Sequence, residues 1–350
     1  MATTPNLTRK TLVAAKRESS YGSDAFGSAA VCESQLTTAA SCAQLLWDEV
    51  NPVSLDSQII EKQVVRGSFS KYTDLVGRQL YMLKLKTMLM TSSGGQHNHS
   101  DAGVTSGTGD SAGQAGEKGV PPFFGHLLRA CALKETTNSS SSVVYSPYSG
   151  PSFNSATAYV FADTLRHKIA GLFGTGVFEG RAGEGIELSF DMKGKYSDPI
   201  ASTIPSGVVY PVDAKELVEN EGLTIAGHGG TPIVRSFRFD LGVEVVERRD
   251  FNSAEGLYGL WIIDRKPTLE LVVEVEPLGT FDPWSGIDAS STYAVAFTHG
   301  SAADKLIAFS FPYAQLVNLN YQDDGGIRTY QMQFNLTSVS DDGEYSITFR

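Results

Sequence analysis

The sequence predicts a mainly β protein of two tandem β-sandwich or half-barrel modules, with one short helix in each module or in the first alone. Three observations predict it. Segments of period-two alternation recur along the chain, as at 81–89, where Leu83, Leu85 and Thr87 share one face and Lys84 and Lys86 the other. Clusters of Gly, Pro, Asn and Asp punctuate these segments. The order of elements over 78–200 also returns over 265–350. A strand with a charged start (78–89, then 265–276) is followed by a Pro-containing aromatic segment and three strands. That segment is Pro121-Pro122-Phe123-Phe124 in the first half and Phe281-Asp282-Pro283-Trp284 in the second.

Residues 1–45 read as an extended arm. Thr8 to Lys16 hold one short strand, Ser19-Ser20-Tyr21-Gly22 break it, and Ala, Ser and Thr up to Cys42 offer little to build a core. A mobile terminus is the plain alternative to an arm docked elsewhere in an assembly. The first module spans 46–200. A strand at 58–65 leads to a polar hairpin tip at 66–72 and then to the strand at 81–89. Residues 91–120 are a Gly/Ser-rich insertion too poor in apolar surface to offset its ordering entropy, hence a long exposed loop. Phe123, Phe124, Leu127, Leu128, Cys131 and Leu133 fall at helical spacing and predict a short amphipathic helix. Strands at 142–148, 155–171 and 185–196 follow, with Thr157, Tyr159 and Phe161 on one face of the middle one.

Residues 201–232 are a Pro- and Gly-rich linker in which only 214–220 suggests a helical turn. The second module spans 233–350. Phe237, Phe239 and Leu241 alternate with Arg238 and Asp240, and Val243, Val245 and Val246 lead to a polar tip at 252–255 and a return strand through 260–263. Strands at 268–276, 292–298, 305–320, 327–339 and 345–349 complete it. Asp323-Asp324 and Asp341-Asp342 mark hairpin turns, with a calcium site as the alternative reading of either pair.

The totals bound the function. A 350-residue chain with 41% hydrophobic and 19% charged residues buries a sizeable core and is not a disordered polymer. No apolar run is long enough to span a bilayer as a helix, and the N-terminus lacks the pattern of a secretory signal. Three cysteines make no disulfide framework; Cys131 reads as a small apolar packing residue. Residues 1–212 hold 18 acidic and 18 basic side chains, so the net charge of −11 lies wholly in 213–350. That argues against tight nucleic-acid binding, which needs cations to displace phosphate counterions. It is compatible with DNA passing beside a wall that repels it.

Motifs for chemistry are weak. Gly109-Asp110-Ser111-Ala112-Gly113 has the spacing of a serine-hydrolase elbow and His228-Gly229-Gly230 that of an oxyanion loop. The elbow needs a strand before the Ser and a helix after it, and Ser111 has neither. The HGG segment also follows the Ser where esterases place it before. His97, His99 and Asp101 have metal-ligand chemistry but sit in a loop with no fixed second shell. The expectation is therefore no enzyme, no cofactor and no metal. His126 reads as a packed or partner-facing histidine.

The segment from Leu7 to Lys16 with Ser20-Tyr21-Gly22 resembles the N-terminal arm of tail tube (major tail) proteins of long-tailed bacteriophages. So do Gly125-His126-Leu127-Leu128-Arg129-Ala130-Cys131, Val144-Tyr145-Ser146-Pro147, Ile263 to Thr268, 316–324 and the final Tyr345-Ser346-Ile347-Thr348-Phe349. The resemblance runs nearly end to end, and the insertion at 91–120 departs from it. It implies a non-contractile, siphovirus-type tail tube subunit whose strands join those of its neighbours into one inner β-barrel. It implies a virion tail built in the bacterial host cytoplasm, with tape measure, tail terminator and distal tail proteins as partners and DNA passing through the lumen unbound.

Two modules per chain lead to the expectation of a trimeric, pseudo-sixfold ring stacked into a tube, with a hexameric ring as the alternative. Expected ring-stacking hairpins carry Arg66, Phe69, Lys71 and Tyr72 in the first module and Arg248, Arg249, Phe251 and Glu255 in the second. Arg9, Lys10, Lys16 and Tyr21 are expected on an arm reaching a neighbouring subunit. Acidic side chains are expected on the lumen. The rival reading is another viral or surface β module, a capsid decoration or adhesion protein, with a serine esterase far behind.

Overall fold

Alternation and turn chemistry produce hairpins, and the hairpins assemble into one large antiparallel sheet. The computed structural model describes residues 7, 10–28, 31–32, 43–45, 51–62, 65, 67–89, 121–138, 141–206, 208, 218, 221–228, 231–253, 256–300 and 306–350. Among these lie nineteen strands and two short helices, and every described strand pairing is antiparallel. The protein is mainly β.

The first half contains β1 (Thr11–Arg17), β2 (Ala43–Leu45), β3 (Val53–Ile60), β4 (Leu75–Met88), α1 (Gly125–Ala130), β5 (Leu133–Asn138), β6 (Ser142–Pro147), β7 (Ala156–Ala162), β8 (Leu165–Arg181), β9 (Glu187–Lys195) and β10 (Ile200–Ala201). Six of these strands run side by side in the order β3-β4-β9-β8-β7-β1. The second half contains β11 (Thr224–Ile225), β12 (Val234–Asp240), β13 (Val243–Arg249), β14 (Leu257–Arg265), β15 (Thr268–Glu274), α2 (Pro283–Asp288), β16 (Thr292–His299), β17 (Ile307–Asp324), β18 (Ile327–Leu336) and β19 (Ser346–Phe349). Six strands again run side by side, in the order β12-β15-β18-β17-β16-β11. In both sets a strand and a short helix are followed along the chain by three strands of the set, with the β5–β6 hairpin inserted after the helix in the first half. In both, the last of those strands inserts next to the first.

The halves are joined twice. β12 pairs with the end of β8, and the C-terminal β19 bridges β17 to β6. The largest buried cluster takes side chains from both halves. At the first joint Phe178 stacks on Phe239 (5.7 Å, 14°) and Phe309 meets Phe178 edge-on at 5.5 Å. Fully burying one such ring is worth about 1.5–3 kcal/mol, with a further increment for ring–ring geometry.

Four local expectations are corrected. Residues 155–171 are not one strand: β7 turns into β8 at Asp163, whose φ of +54° supplies the turn without a glycine. The helical spacing that includes Leu133 overruns, because Ala132 takes a φ of +57° and Leu133 opens β5 instead. The helix is also not amphipathic, since all six residues of α1 are buried. The first strand before the tip is β3 at Val53–Ile60, earlier than the expected 58–65. Helix α2 begins as Pro283 at a first-turn position predicts, with the Asp282 carboxylate accepting from the Trp284 and Ser285 amides at 3.1 and 3.2 Å.

Candidate assembly surfaces

The two long hairpins lie side by side. The β3–β4 hairpin turns over residues 61–74 and the β13–β14 hairpin over 250–256. Arg78 on β4 ties them together: it donates to Asp56 at 2.9 Å across its own hairpin and lies 2.8 Å from Glu247 on β13. The β13–β14 hairpin leaves the main sheet through a kink at Gly242. There φ is +60° and a Cβ would sit 2.0 Å from the Lys266 carbonyl oxygen, so only glycine fits. Its register continues that of β12 and β15 across the kink.

Each tip presents a phenylalanine with no cover. Phe69 and Phe251 are fully exposed, as is Val65 beside the first. A side chain that gains most from burial thus stands at the far end of each hairpin. Lys71 pairs with Glu61 at 3.6 Å, and Tyr72 is half-exposed. In the second hairpin Arg248 lies over the rings of Tyr258 (4.8 Å) and Trp261 (5.6 Å), and Arg249 approaches Glu247 at 3.7 Å. Asp250 accepts from the Asn252 amide and the Ser253 hydroxyl, and these bonds hold its carboxyl below the usual aspartate range. Arg66, Glu255 and Arg9 lie outside the described residues.

The N-terminal segment docks on its own chain. β1 pairs along its whole length with β7, and Leu12, Val13, Ala14 and Ala15 are buried. Lys10 lies 3.6 Å from Asp163, while Lys16 sits opposite Thr157 in the register. Glu18 anchors the end of β1. One carboxylate oxygen accepts from the Gly22 amide (2.6 Å) and the Ser155 hydroxyl (2.5 Å), the other from the Gly171 amide (2.7 Å) and the Thr157 hydroxyl (2.7 Å). Burial nonetheless pushes the Glu18 carboxyl above its ordinary pKa, against those four donors.

Tyr21 then fills the gap between β8 and the second hairpin. Its ring stacks on Phe173 at 5.5 Å, and its hydroxyl accepts from the Leu260 amide at 2.6 Å. Burial raises its phenol to about 12. Gly171, at φ +66°, leaves the space that the ring occupies.

Among the described residues, those with catalytic or metal-binding chemistry are not brought together. Ser111, His97, His99 and Asp101 lie outside the described residues. The His228 side chain is buried, packed on Phe281 at 5.0 Å and 3.5 Å from Glu276. His126 is buried within α1, whose Arg129 lies 3.9 Å from Glu135 while Glu135 accepts from Tyr145 at 2.6 Å. Asp342 accepts from Ser149 and from Arg265 (2.6 Å), and Asp323 from the Gly326 amide. Among the described residues no group of three metal-ligating side chains forms, and no helix is long and apolar enough to cross a membrane.

Sequence reasoning missed Glu18 and Arg78. Three of Glu18's four partners lie 137 to 153 residues away, and Arg78 reaches Glu247 on the far hairpin, so no local pattern marks them. Neither a comparison with known family models nor one with curated proteins finds a match for this chain.

Proposed function

We propose that this chain is a non-enzymatic structural subunit of the tail tube of a long-tailed, non-contractile bacteriophage. Its two halves act as tandem modules, three chains form a pseudo-sixfold ring, and rings stack into the conduit for DNA. The observation that carries the reading is the recurrence of one six-strand order in both halves, each with a hairpin ending in an uncovered phenylalanine. A repeated unit lets one polypeptide fill two equivalent places in a ring, and two exposed rings per chain suit contact between successive rings. The resemblance of the arm, the α1 segment and the C-terminal strand to tail tube proteins supports the same reading. The acidic excess of 213–350 favours a lumen that keeps DNA off its wall within a Debye length of about 8 Å.

The test is sedimentation of the wild type beside Phe69→Ser, Phe251→Ser and the double variant. The wild type is expected to form long polymers at rising concentration, and the double variant to stop at a single ring. A wild type that stays at one small closed oligomer overturns the reading in favour of a decoration or adhesion module. Unchanged polymerisation of the double variant removes the hairpin tips from the stacking contact.

A further inference from the structure

The joint between β8 and β12 has two counterparts that have no mate among the described residues. β8 and β17 occupy the same place in the two strand orders. Each follows its hairpin partner (β7 or β16) across a bulge and pairs on its other side with the next strand. Over Val177–Glu179, β8 has neighbours on both sides, β9 and β12, and its pairing with β12 continues to Arg181. β17 does not: its pairing with β16 ends at Gln315, and beyond that residue its one described strand neighbour is β18. Helix α2 meets this part of the sheet, with the Trp284 ring 5.7 Å from that of Tyr321, yet no described strand pairs along the edge, and Val317 and Tyr321 are 40% and 54% exposed.

β12 and β3 are likewise equivalent, each the outer partner of the strand that opens its set. β12 has a second neighbour in β8, whereas among the described residues β3 pairs with β4 alone. Leu55, Ile59 and Ile60 on β3 are exposed. Among the described residues the sheet therefore shows one unpaired edge of each kind, and the equivalents of those two edges are already joined in the middle of the chain.

The pairings also set a register. Leu83 opposite Met192 and Leu85 opposite Phe190 match Leu269 opposite Phe334 and Leu271 opposite Met332. Val53 opposite Leu83 then matches Phe239 opposite Leu269, and Tyr321 opposite Tyr330 matches Phe178 opposite Leu188. The internal joint sets Phe239 against Phe178 and Asp240 against Val177.

We propose that the open edge of β17 pairs antiparallel with β3 of a second copy of this chain, setting Tyr321 against Val53 and Asn320 against Ser54. The contact is head-to-tail, so repeating it closes a ring or propagates a filament. It covers two strand edges that would otherwise invite indiscriminate pairing. This deepens the reading of the chain as a self-assembling subunit and rests on it.

The experiment is a cysteine pair, Ser54→Cys with Asn320→Cys, in a Cys42→Ser background. Directly opposed residues of an antiparallel pair lie about 4.5–5.5 Å apart at Cα, within disulfide reach. Mild oxidation of the assembled protein is expected to give a non-reducing ladder in steps of 37.6 kDa. A control pair, Ser54→Cys with Asn335→Cys, is expected to give none. Val53→Cys with Tyr321→Cys reads the same joint should the first pair fail to fold. Rings or tubes by microscopy without a ladder from either pair overturn this joint and leave the tube reading standing. Neither assemblies nor ladder overturns both, and an equal ladder from the control overturns the register.

Discussion

Glu18→Gln is the substitution whose outcome follows most directly from geometry. Each carboxylate oxygen of Glu18 accepts one backbone N–H, from Gly22 or from Gly171, and one hydroxyl. The hydroxyls of Ser155 and Thr157 can rotate to act as acceptors, but the two amides cannot. A glutamine keeps one acceptor oxygen, so in either amide orientation its NH2 faces a fixed N–H donor. One buried amide is then orphaned, at a cost of about 1–3 kcal/mol. Protonating Glu18 does not have this effect, because both oxygens of a neutral carboxyl still accept. The raised pKa agrees: the folded chain holds the proton more tightly than the unfolded one. Glu18 therefore contributes most below its ordinary pKa of 4.5, and its contribution declines as pH rises through the folded value.

The assay is hydrogen exchange at neutral pH, resolved at Gly22 and Gly171. A loss of about 1–3 kcal/mol accelerates exchange about 5- to 150-fold where local opening dominates. The melting temperature is a blunter readout. At roughly 2.1 cal/mol/K per residue, a chain of this length loses only about 1–2 °C per kcal/mol. Equal protection of both amides in the wild type and Glu18→Gln refutes the two-donor argument. A Glu18→Gln chain whose stability declines with rising pH above 4.5 as steeply as the wild type's refutes the raised carboxyl pKa instead.

Three further outcomes are expected. Tyr21→Phe should deprive the Leu260 amide of its acceptor at about 1–2 kcal/mol, and Tyr21→Ala, which also loses the stack on Phe173, about 3–5 kcal/mol; chemical denaturation of both variants measures the difference. Gly242→Ala should cost at least about 2 kcal/mol, since φ is positive and the new Cβ meets the Lys266 carbonyl; that loss lowers the melt by at least about 2 °C, and a melt within about 1 °C of wild type would contradict it. Phe69→Ser and Phe251→Ser should leave the melting temperature of the unassembled chain within about 1 °C, because neither ring touches the core. A large drop in either would mean that the tips pack within the chain.

Much of the sheet was legible because its strands carry their address in side-chain alternation. Lys84 and Lys86 alternating with Leu83, Leu85 and Thr87 specify which face of β4 is buried, and Phe237 and Phe239 do the same for β12. What was lost turned on single backbone angles. Asp163 and Ala132 adopt positive φ where neither is a glycine, so the turn before β8 and the end of α1 left no mark in composition. Leu133 fits a helix and a strand equally well by spacing. The tips were found as polar breaks between strands, but their exposed phenylalanines gain meaning only once the hairpins stand side by side through Arg78 and Glu247. The Glu18 anchor and the β8–β12 joint depend on residues far apart in the chain, and no local pattern encodes them.

Electron microscopy of the purified wild-type chain at rising concentration, averaged down any particle axis, tests the central claim most directly. The expected result is stacked rings around a central hole, with threefold symmetry and six similar lobes per ring. Monodisperse particles that never stack at any concentration would contradict the tube, and stacked rings of six whole chains would contradict the two-module ring.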